Sequence, residues 1–317
     1  MNKLYLMKNP ELFQGEKNLN KNKNYFEGWY FKNTGKEKSI SFIPGISVEP
    51  NGKKAFIQVI TEDESYFVDY NIKNVKFSEK PFQVKIGNNL FSKQGIHIDI
   101  KDETQNLNIN GEIKYTNNKN IYTNSINPNI MGPFSYIPFM ECNHAILSMK
   151  NNANGSIDIN NTILNFENDM GYIEKDWGCS FPKTYIWCQG NNFKESDACF
   201  MLSIANVPFK MFNFRGMICV LIVDDQEYKF TTYNNSKIVK CDVNEKMLEI
   251  VLKKDDYLFN LKTAFEKGQK LSAPVKGKME KDIYESLNSS IEITLRKNDE
   301  IIFSDISTNC GVEIVQE

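Results

Sequence analysis

From residue 39 to residue 303 the chain repeats one device: a short alternating or β-branched and aromatic run, followed by a cluster of Asn, Gly or Asp. Ser39–Ile43, Ala55–Ile60, Tyr66–Tyr70, Gly95–Ile100, Leu107–Ile113, Ala145–Met149 and Ser156–Ile159 read this way in the first half. Met217–Val223, Glu227–Thr232, Met247–Leu252, Tyr257–Ala264, Ile291–Leu295 and Glu300–Phe303 continue it. A run of period two buries one face and leaves the other polar, as an antiparallel strand does. Many such strands with weak helical periodicity between them predict an all-β chain of antiparallel barrels or sandwiches.

Asn151–Gly155 and Val223–Gln226 read as hairpin turns. Short helices are expected only near Asn9–Gln14 and Lys278–Leu287. Asn124–Pro138 interrupts the strand rhythm with Pro128, Pro133 and Pro138. It also carries Phe134, Tyr136 and Ile137, with Phe139 just beyond, so it reads as an ordered connection or lid rather than a linker. A boundary near residue 180 would give an N-terminal domain, 1–180, and a C-terminal domain, 181–317, each long enough for a lipocalin-sized barrel.

The net charge of −2 supplies no excess of phosphate-neutralising cations, which argues against nucleic acid as a partner. Arginine occurs only at Arg215 and Arg296, against an abundance of lysine and asparagine that reflects codon usage more than binding. Seven cysteines, an odd number, show no paired spacing of a disulfide framework. Met1–Pro10 lacks the apolar core of a signal peptide, and the longest apolar stretch, Met217–Val223, is too short to span a bilayer. The expected protein is reduced and cytoplasmic, with no integral membrane segment.

One stretch departs from the plain strand pattern. Gly171–Pro182 sets two carboxylates two residues apart among aromatic rings, and Tyr185–Gln189 adds Tyr185, Trp187 and Gln189. Charge held against aromatic surface is costly to desolvate, so the pattern suggests either a pocket or a structural polar network. If extended, the segment puts Tyr172, Glu174 and Asp176 on one face and Ile173, Lys175 and Trp177 on the other. Carboxylates at i and i+2 lie roughly 7 Å apart, close enough for one to retain its proton beside an ionised neighbour. The plainer alternative is that Glu174 or Asp176 caps a turn or pairs with Lys175 or Arg215.

Two further constellations matter. Tyr25–Phe31 places Glu27 on a strand face with Tyr25, Trp29 and Phe31, opposite Phe26 and Tyr30. Gly28 there permits a close approach. That is how a raised-pKa acid is built, and equally how a barrel's opening strand is anchored. Pro138–His144 offers Glu141, Cys142 and His144 without a second pair at metal-ligand spacing, so no metal is expected and His144 reads as a hydrogen-bonded pocket residue. His97, alternating with apolar neighbours, reads as a surface residue beside Asp99. With two histidines, no Gly-x-Ser-x-Gly, no P-loop and no Gly-x-Gly-x-x-Gly after a strand, the residues favour acid chemistry in an aromatic pocket without a cofactor.

These same residues carry a resemblance. Tyr25–Phe31 resembles the Phe-Phe-Glu-Gly-Trp-Tyr-Phe opening of the tocopherol cyclase family. Glu174–Gly178 with Phe181-Pro182 resembles its Glu-Lys-Asn-Trp-Gly…Phe-Pro signature, with Asp176 as in the bacterial branch. Tyr185–Phe193, Leu271–Pro274 and Gly311–Ile314 resemble later family motifs, so the likeness runs from about residue 24 to the C-terminus. More distantly, the chain is similar to carotenoid hydratases and lipocalin-like pericyclases. The resemblance implies two lipocalin-like antiparallel β-barrels packed together, with the carboxylate stretch on the wall of an apolar pocket near their junction.

It also implies a reaction: protonation of a prenyl double bond, then capture of the tertiary cation by a phenol oxygen. Such a cyclase, an isomerase by reaction type, needs an acid, a dry pocket and aromatic faces for the cation. Glu174, Asp176 and Glu27 are the candidate acids. Trp29, Tyr30, Glu141, His144, Trp177, Tyr185 and Trp187 are candidates for lining the ligand, with Gln189 or Asn191 orienting the phenol. The expected partner is an apolar or prenylated small molecule, taken up with no more than transient membrane contact. A lipocalin-like carrier that binds an apolar ligand without transforming it is the alternative. In a third reading Glu174 and Lys175 are purely structural and lock the barrels together.

Overall fold

The structure is a computed structural model that describes residues 3–36, 38–137, 140–209, 212–244 and 246–316. It divides into two compact units, one of Met1–Phe181 with Leu271–Asp282, the other of Pro182–Lys270 with Ile283–Glu317. The hairpin that returns to the first unit is fastened there by backbone: Gln58 exchanges two side-chain bonds with Ser272, and Phe181 N–H donates to the Pro274 carbonyl at 3.0 Å. The chain is all-β, as its alternation predicts.

In the first unit the strands are β1 (Tyr25–Thr34), β2 (Ser39–Glu49), β3 (Gly52–Thr61), β4 (Ser65–Asn71), β5 (Val75–Glu79), β6 (Phe82–Ile86), β7 (Asn89–Ser92), β8 (Gly95–Asp102), β9 (Leu107–Lys119), β10 (Cys142–Ile159) and β11 (Thr162–Gly178). They form one antiparallel sheet in the order β4-β3-β2-β1-β11-β10-β9-β8-β7-β6-β5. Its two edges meet. The Gln105 side chain donates to the Phe67 carbonyl at 3.0 Å, and Asn89 donates to the Tyr70 hydroxyl at 3.2 Å. The sheet is therefore a nearly closed barrel, which leaves few strand-edge groups unpaired. Its interior is filled by Trp29, Phe31, Phe42, Val84, Phe91, Ile98, Ile113, Leu147 and Ile173.

The second unit holds β12 (Tyr185–Gly190), β13 (Ala198–Phe209), β14 (Phe212–Val223), β15 (Gln226–Thr231), β16 (Lys237–Val243), β17 (Met247–Lys254) and β18 (Tyr257–Ala264). After β19 (Gln269–Val275), most of β20 (Lys278–Lys297) and all of β21 (Glu300–Val315) complete it. The sheet order is β15-β14-β13-β12-β21-β20-β18-β17-β16, around a core of Ile186, Phe200, Leu202, Leu221, Phe230, Ile250, Phe259 and Ile293.

Several local expectations fail for identifiable reasons. The helices among the described residues are α1 (Lys3–Lys8) and α2 (Glu16–Lys21), on either side of Asn9–Gln14 rather than across it. Pro10 has no N–H to give a helix, and the carbonyls of Pro10, Glu11 and Leu12 are taken by Lys175 and Trp29. Lys278–Leu287 is strand, because Ile283, Glu285 and Leu287 alternate into buried positions. Asn151–Gly155 does not turn but runs on inside β10, with register shifts that mark bulges. The reversal comes at Asn160 and Asn161, with φ of 50° and 70° between the paired Ile159 and Thr162. Val223–Gln226 is a turn as expected, with Asp224 and Asp225 at positive φ. In the proline-rich segment, Gly132–Tyr136 forms a short 3-10 helix, while Pro138 and Phe139 lie outside the described residues.

Candidate active site

The pleat of β11 decides which side chains can meet. Buried Ile173 packs into the barrel core with partly buried Trp177 against it, so Lys175, between them in the alternation, points inward as well. Tyr172, Glu174 and Asp176 project from the other face. Cross-strand register then adds partners on that outer face. Gly28 and His144 flank Asp176, while Tyr30 and Ile146 flank Glu174. Gly28 brings no side chain beside Asp176, and a Cβ there would make only ordinary contacts of 3.6 Å and 3.9 Å, so the space above that carboxylate stays open.

The inward face carries a closed network. Lys175 and Glu27, both wholly buried, form an ion pair of 2.5 Å. Glu27 also accepts from the Tyr25 hydroxyl at 2.6 Å and from the Gln14 backbone N–H at 2.9 Å. Lys175 donates to the carbonyls of Pro10 and Leu12 at 2.8 Å and 2.6 Å. Its ammonium lies 4.7 Å from the ring centre of Trp29 and 4.9 Å from that of Trp177. Burial lowers the Lys175 pKa against the pull of Glu27. The structure thus separates Glu27, Trp29 and Trp177 from Glu174 and Asp176 by the thickness of a sheet. It also corrects the pairing of Lys175: its carboxylate partner is Glu27, because Glu174 points the other way.

The outer face carries a chain of proton-bearing groups. His144 Nδ1 lies 2.9 Å from Asp176 Oδ1, and its Nε2 lies 3.5 Å from Glu174 Oε2 without a hydrogen-bonding geometry among the described residues. Glu174 Oε2 accepts from the Tyr172 hydroxyl at 2.5 Å. The Tyr172 ring meets the Tyr30 ring edge-on at 6.3 Å, and Ser41 donates to the Tyr30 hydroxyl at 3.0 Å. Cys142 approaches Asp176 at 3.8 Å. Side-chain exposure falls along the chain from 22% at Asp176 to 14% at His144 and 7% at Glu174. The aspartate end is the more exposed, and the glutamate end is nearly buried.

Electrostatics follow from this placement. Burial alone would lower the His144 pKa; the charges of Asp176 and Glu174, with the Asp176 hydrogen bond, outweigh it and raise the pKa to about 9. His144 is therefore an imidazolium at neutral pH. Burial, then the charge of Glu174 and its hydrogen bond, push the Tyr172 phenol well above its ordinary range. His144, Glu174 and Asp176 bring donor atoms within 4.8 Å of one another, a set that suits a divalent cation in number and type. A cation there would have to displace the proton that already balances the two carboxylates.

Tyr172 was visible in sequence only as the third member of the Tyr172-Glu174-Asp176 face. Cys142 stood out in sequence only beside His144, as a possible metal ligand, and Ser41 carried no signal; the register of β10 and β2 brings them near. Glu141 is half-buried, and its carbonyl accepts from the N–H groups of Cys179 and Ser180 at 2.8 Å and 3.2 Å. In the second unit, Tyr185, Trp187 and Gln189 share the face of β12 turned away from the core residues Ile186 and Cys188. The Tyr185 hydroxyl donates to Glu313 at 2.6 Å, and Trp187 packs so closely over Gly311 that a Cβ there would meet it at 2.6 Å. Gln189 and Asn191 are buried. Arg215 lies against Cys241, not against either candidate acid.

The pattern of the tocopherol cyclase-like family matches residues 91–315, which spans β10, β11 and β12. The chain belongs to the tocopherol cyclase-like family. The Glu174–Trp177 signature lies inside that match, whereas the Tyr25–Phe31 strand precedes it. No curated protein sequence matches the chain. Among solved structures the chain is similar to CghA with Sch210972, with TM-score 0.58 and 8% identity over 93% of this chain and 89% of that one. It is also similar to a putative AttH from Nitrosomonas europaea, with TM-score 0.54 and 9% identity over 90% and 91% of the two chains. A third likeness is to kievitone hydratase from Nectria haematococca, with TM-score 0.52 and 12% identity over 96% and 93%. At these identities the neighbours attest the lipocalin-like fold that this tocopherol cyclase-like chain shares with them.

Proposed function

We propose that the protein is a general-acid catalyst of the cyclase or hydratase type acting on an apolar, prenylated small molecule. One observation carries this reading: the His144 imidazole held between Asp176 and Glu174, with the Tyr172 hydroxyl on the second carboxylate, all on the sheet face opposite a filled interior. The proton this chain holds rests on His144 between the ionised carboxylates; passed to Glu174, it leaves readily again, because the Tyr172 hydroxyl stabilises the carboxylate left behind. Delivered to a prenyl double bond, that proton leaves a tertiary cation, which the faces of Tyr172 and Tyr30 stabilise. Capture by a phenol oxygen of the same molecule closes a ring, and the phenol proton returns to the carboxylates, so no proton is consumed overall. Capture by water at the same cation gives the hydrated product instead. Asp176, on the wetter side, fixes the orientation of the imidazolium and connects it to solvent.

The filled first barrel argues against a carrier that stores its ligand in that lumen. Trp29, Phe31, Phe42, Phe91 and the Glu27–Lys175 network already occupy it. Tyr185, Trp187 and Gln189 form an aromatic and amide face on the second unit suited to the same apolar class of ligand. The test is turnover of a prenylated hydroquinone, followed by chromatography of the product. Glu174→Gln should abolish product formation while the melting temperature stays near that of the parent. A variant as active as the parent removes Glu174 from the acid's role.

A further inference from the structure

The second unit has a hollow of about 410 Å³ that the proton-transfer chemistry does not use. Tyr185, Ile186, Ile204, Val243 and Val315 give it an apolar wall, and Arg215 enters it. Arg215 pairs across strands with Asn206 and shares the alternation of Met217 and Cys219, so it sits on the inward side of β14, at the end of the strand beyond the packed core. It is one of two arginines in a chain otherwise furnished with lysine. The planar fork of a guanidinium, unlike an ammonium, matches a carboxylate with two parallel hydrogen bonds.

No Asp or Glu lines the hollow, and among the described residues Arg215 forms no ion pair. Its hydrogen-bond partner is the Cys241 sulfur, 2.8 Å from Nη2. Burial pushes the Cys241 thiol up more than the guanidinium draws it down, so the sulfur is a neutral acceptor and the exposed guanidinium has no carboxylate paired to it among the described residues. The next acid along the strand, Asp242, turns to the other face and meets Lys240 at 3.4 Å. Beside the guanidinium, Asn206 donates to the Thr184 hydroxyl at 2.6 Å, which leaves the hydroxyl proton of Thr184 to be given away.

We infer that this hollow binds a small amphipathic monocarboxylate, its carboxylate on Arg215 and Thr184 and its hydrocarbon body along Ile186, Ile204, Val243 and Val315. One guanidinium and neutral donors suit a single negative charge on an apolar body; a phosphate, with more charge and no tail, would forgo the wall.

The test is calorimetric titration of the full-length protein with octanoate, octanol and inorganic phosphate, on the parent, Arg215→Gln and Arg215→Lys. Octanoate should bind saturably, and octanol roughly tenfold more weakly, as expected for the loss of a charge-assisted pair. Arg215→Gln should weaken octanoate by a similar factor and Arg215→Lys by less. Phosphate should not displace octanoate. In the parent protein, octanoate should also protect Cys241 from an uncharged maleimide, read by peptide mass spectrometry. Absence of saturable binding, equal affinity for octanol, competition by phosphate, unchanged affinity in Arg215→Gln, or unprotected Cys241 would each overturn the assignment.

Discussion

At the scale of single residues, the pleat of β11 assigns its charges to two environments. Lys175 is enclosed with Glu27, and each loses its directly paired charge if the other is removed. Glu27→Gln or Lys175→Met alone should therefore destabilise the protein by roughly 3–5 kcal/mol in urea unfolding, and the double variant by less than the sum. His144 makes a different prediction. Its folded pKa of about 9 lies above its ordinary 6.5, so the charged form stabilises the fold. That contribution, on the order of 3 kcal/mol, is complete below the ordinary value and disappears as pH rises through about 9. Proton NMR of the imidazole should show a midpoint near 9 that falls towards 6.5 in Asp176→Asn. A midpoint unaffected by that change would remove Asp176 as the orienting partner.

At the scale of elements, alternation made much legible from sequence. It put Tyr172, Glu174 and Asp176 together, and it put Glu27 with Tyr25, Trp29 and Phe31. What it lacked was register. Nothing in the sequence says that Gly28 and His144 lie on either side of Asp176, or that Glu27 and Glu174 belong to opposite faces of one sheet. The N-terminal segment was read as helix for the same reason, since the groups that claim its carbonyls come from residues 29 and 175. Removing residues 1–14 should strip Lys175 and Glu27 of three backbone partners and lower the melting temperature by many degrees, with amide exchange accelerated first in β1 and β11. Gly178→Ala should do likewise, because its Cβ would fall 2.0 Å from the Glu141 carbonyl oxygen that β10 holds in place. A melting temperature unchanged in either case would contradict the assignment of these contacts as structural.

At the scale of the whole molecule, each unit has its own sheet and its own core, built on the same alternation in two stretches of sequence. All seven cysteines are free thiols, so a reducing agent should leave the melting temperature unchanged. The all-β class was readable from strand rhythm. The return of Leu271–Asp282 to the first unit was not, because it depends on backbone bonds to Gln58, Cys179 and Phe181 that have no sequence signature. Belonging to the tocopherol cyclase-like family, with a carboxylate–imidazolium chain beside a dry aromatic surface, points to proton transfer onto carbon. The measurement that bears on this most directly is turnover of a prenylated hydroquinone in heavy water, with mass spectrometry and deuterium NMR of the product. One deuteron should be fixed on carbon in the product of the parent protein and none with Glu174→Gln. Substrate returned without carbon-bound deuterium, or the same labelled product from the variant, would contradict it.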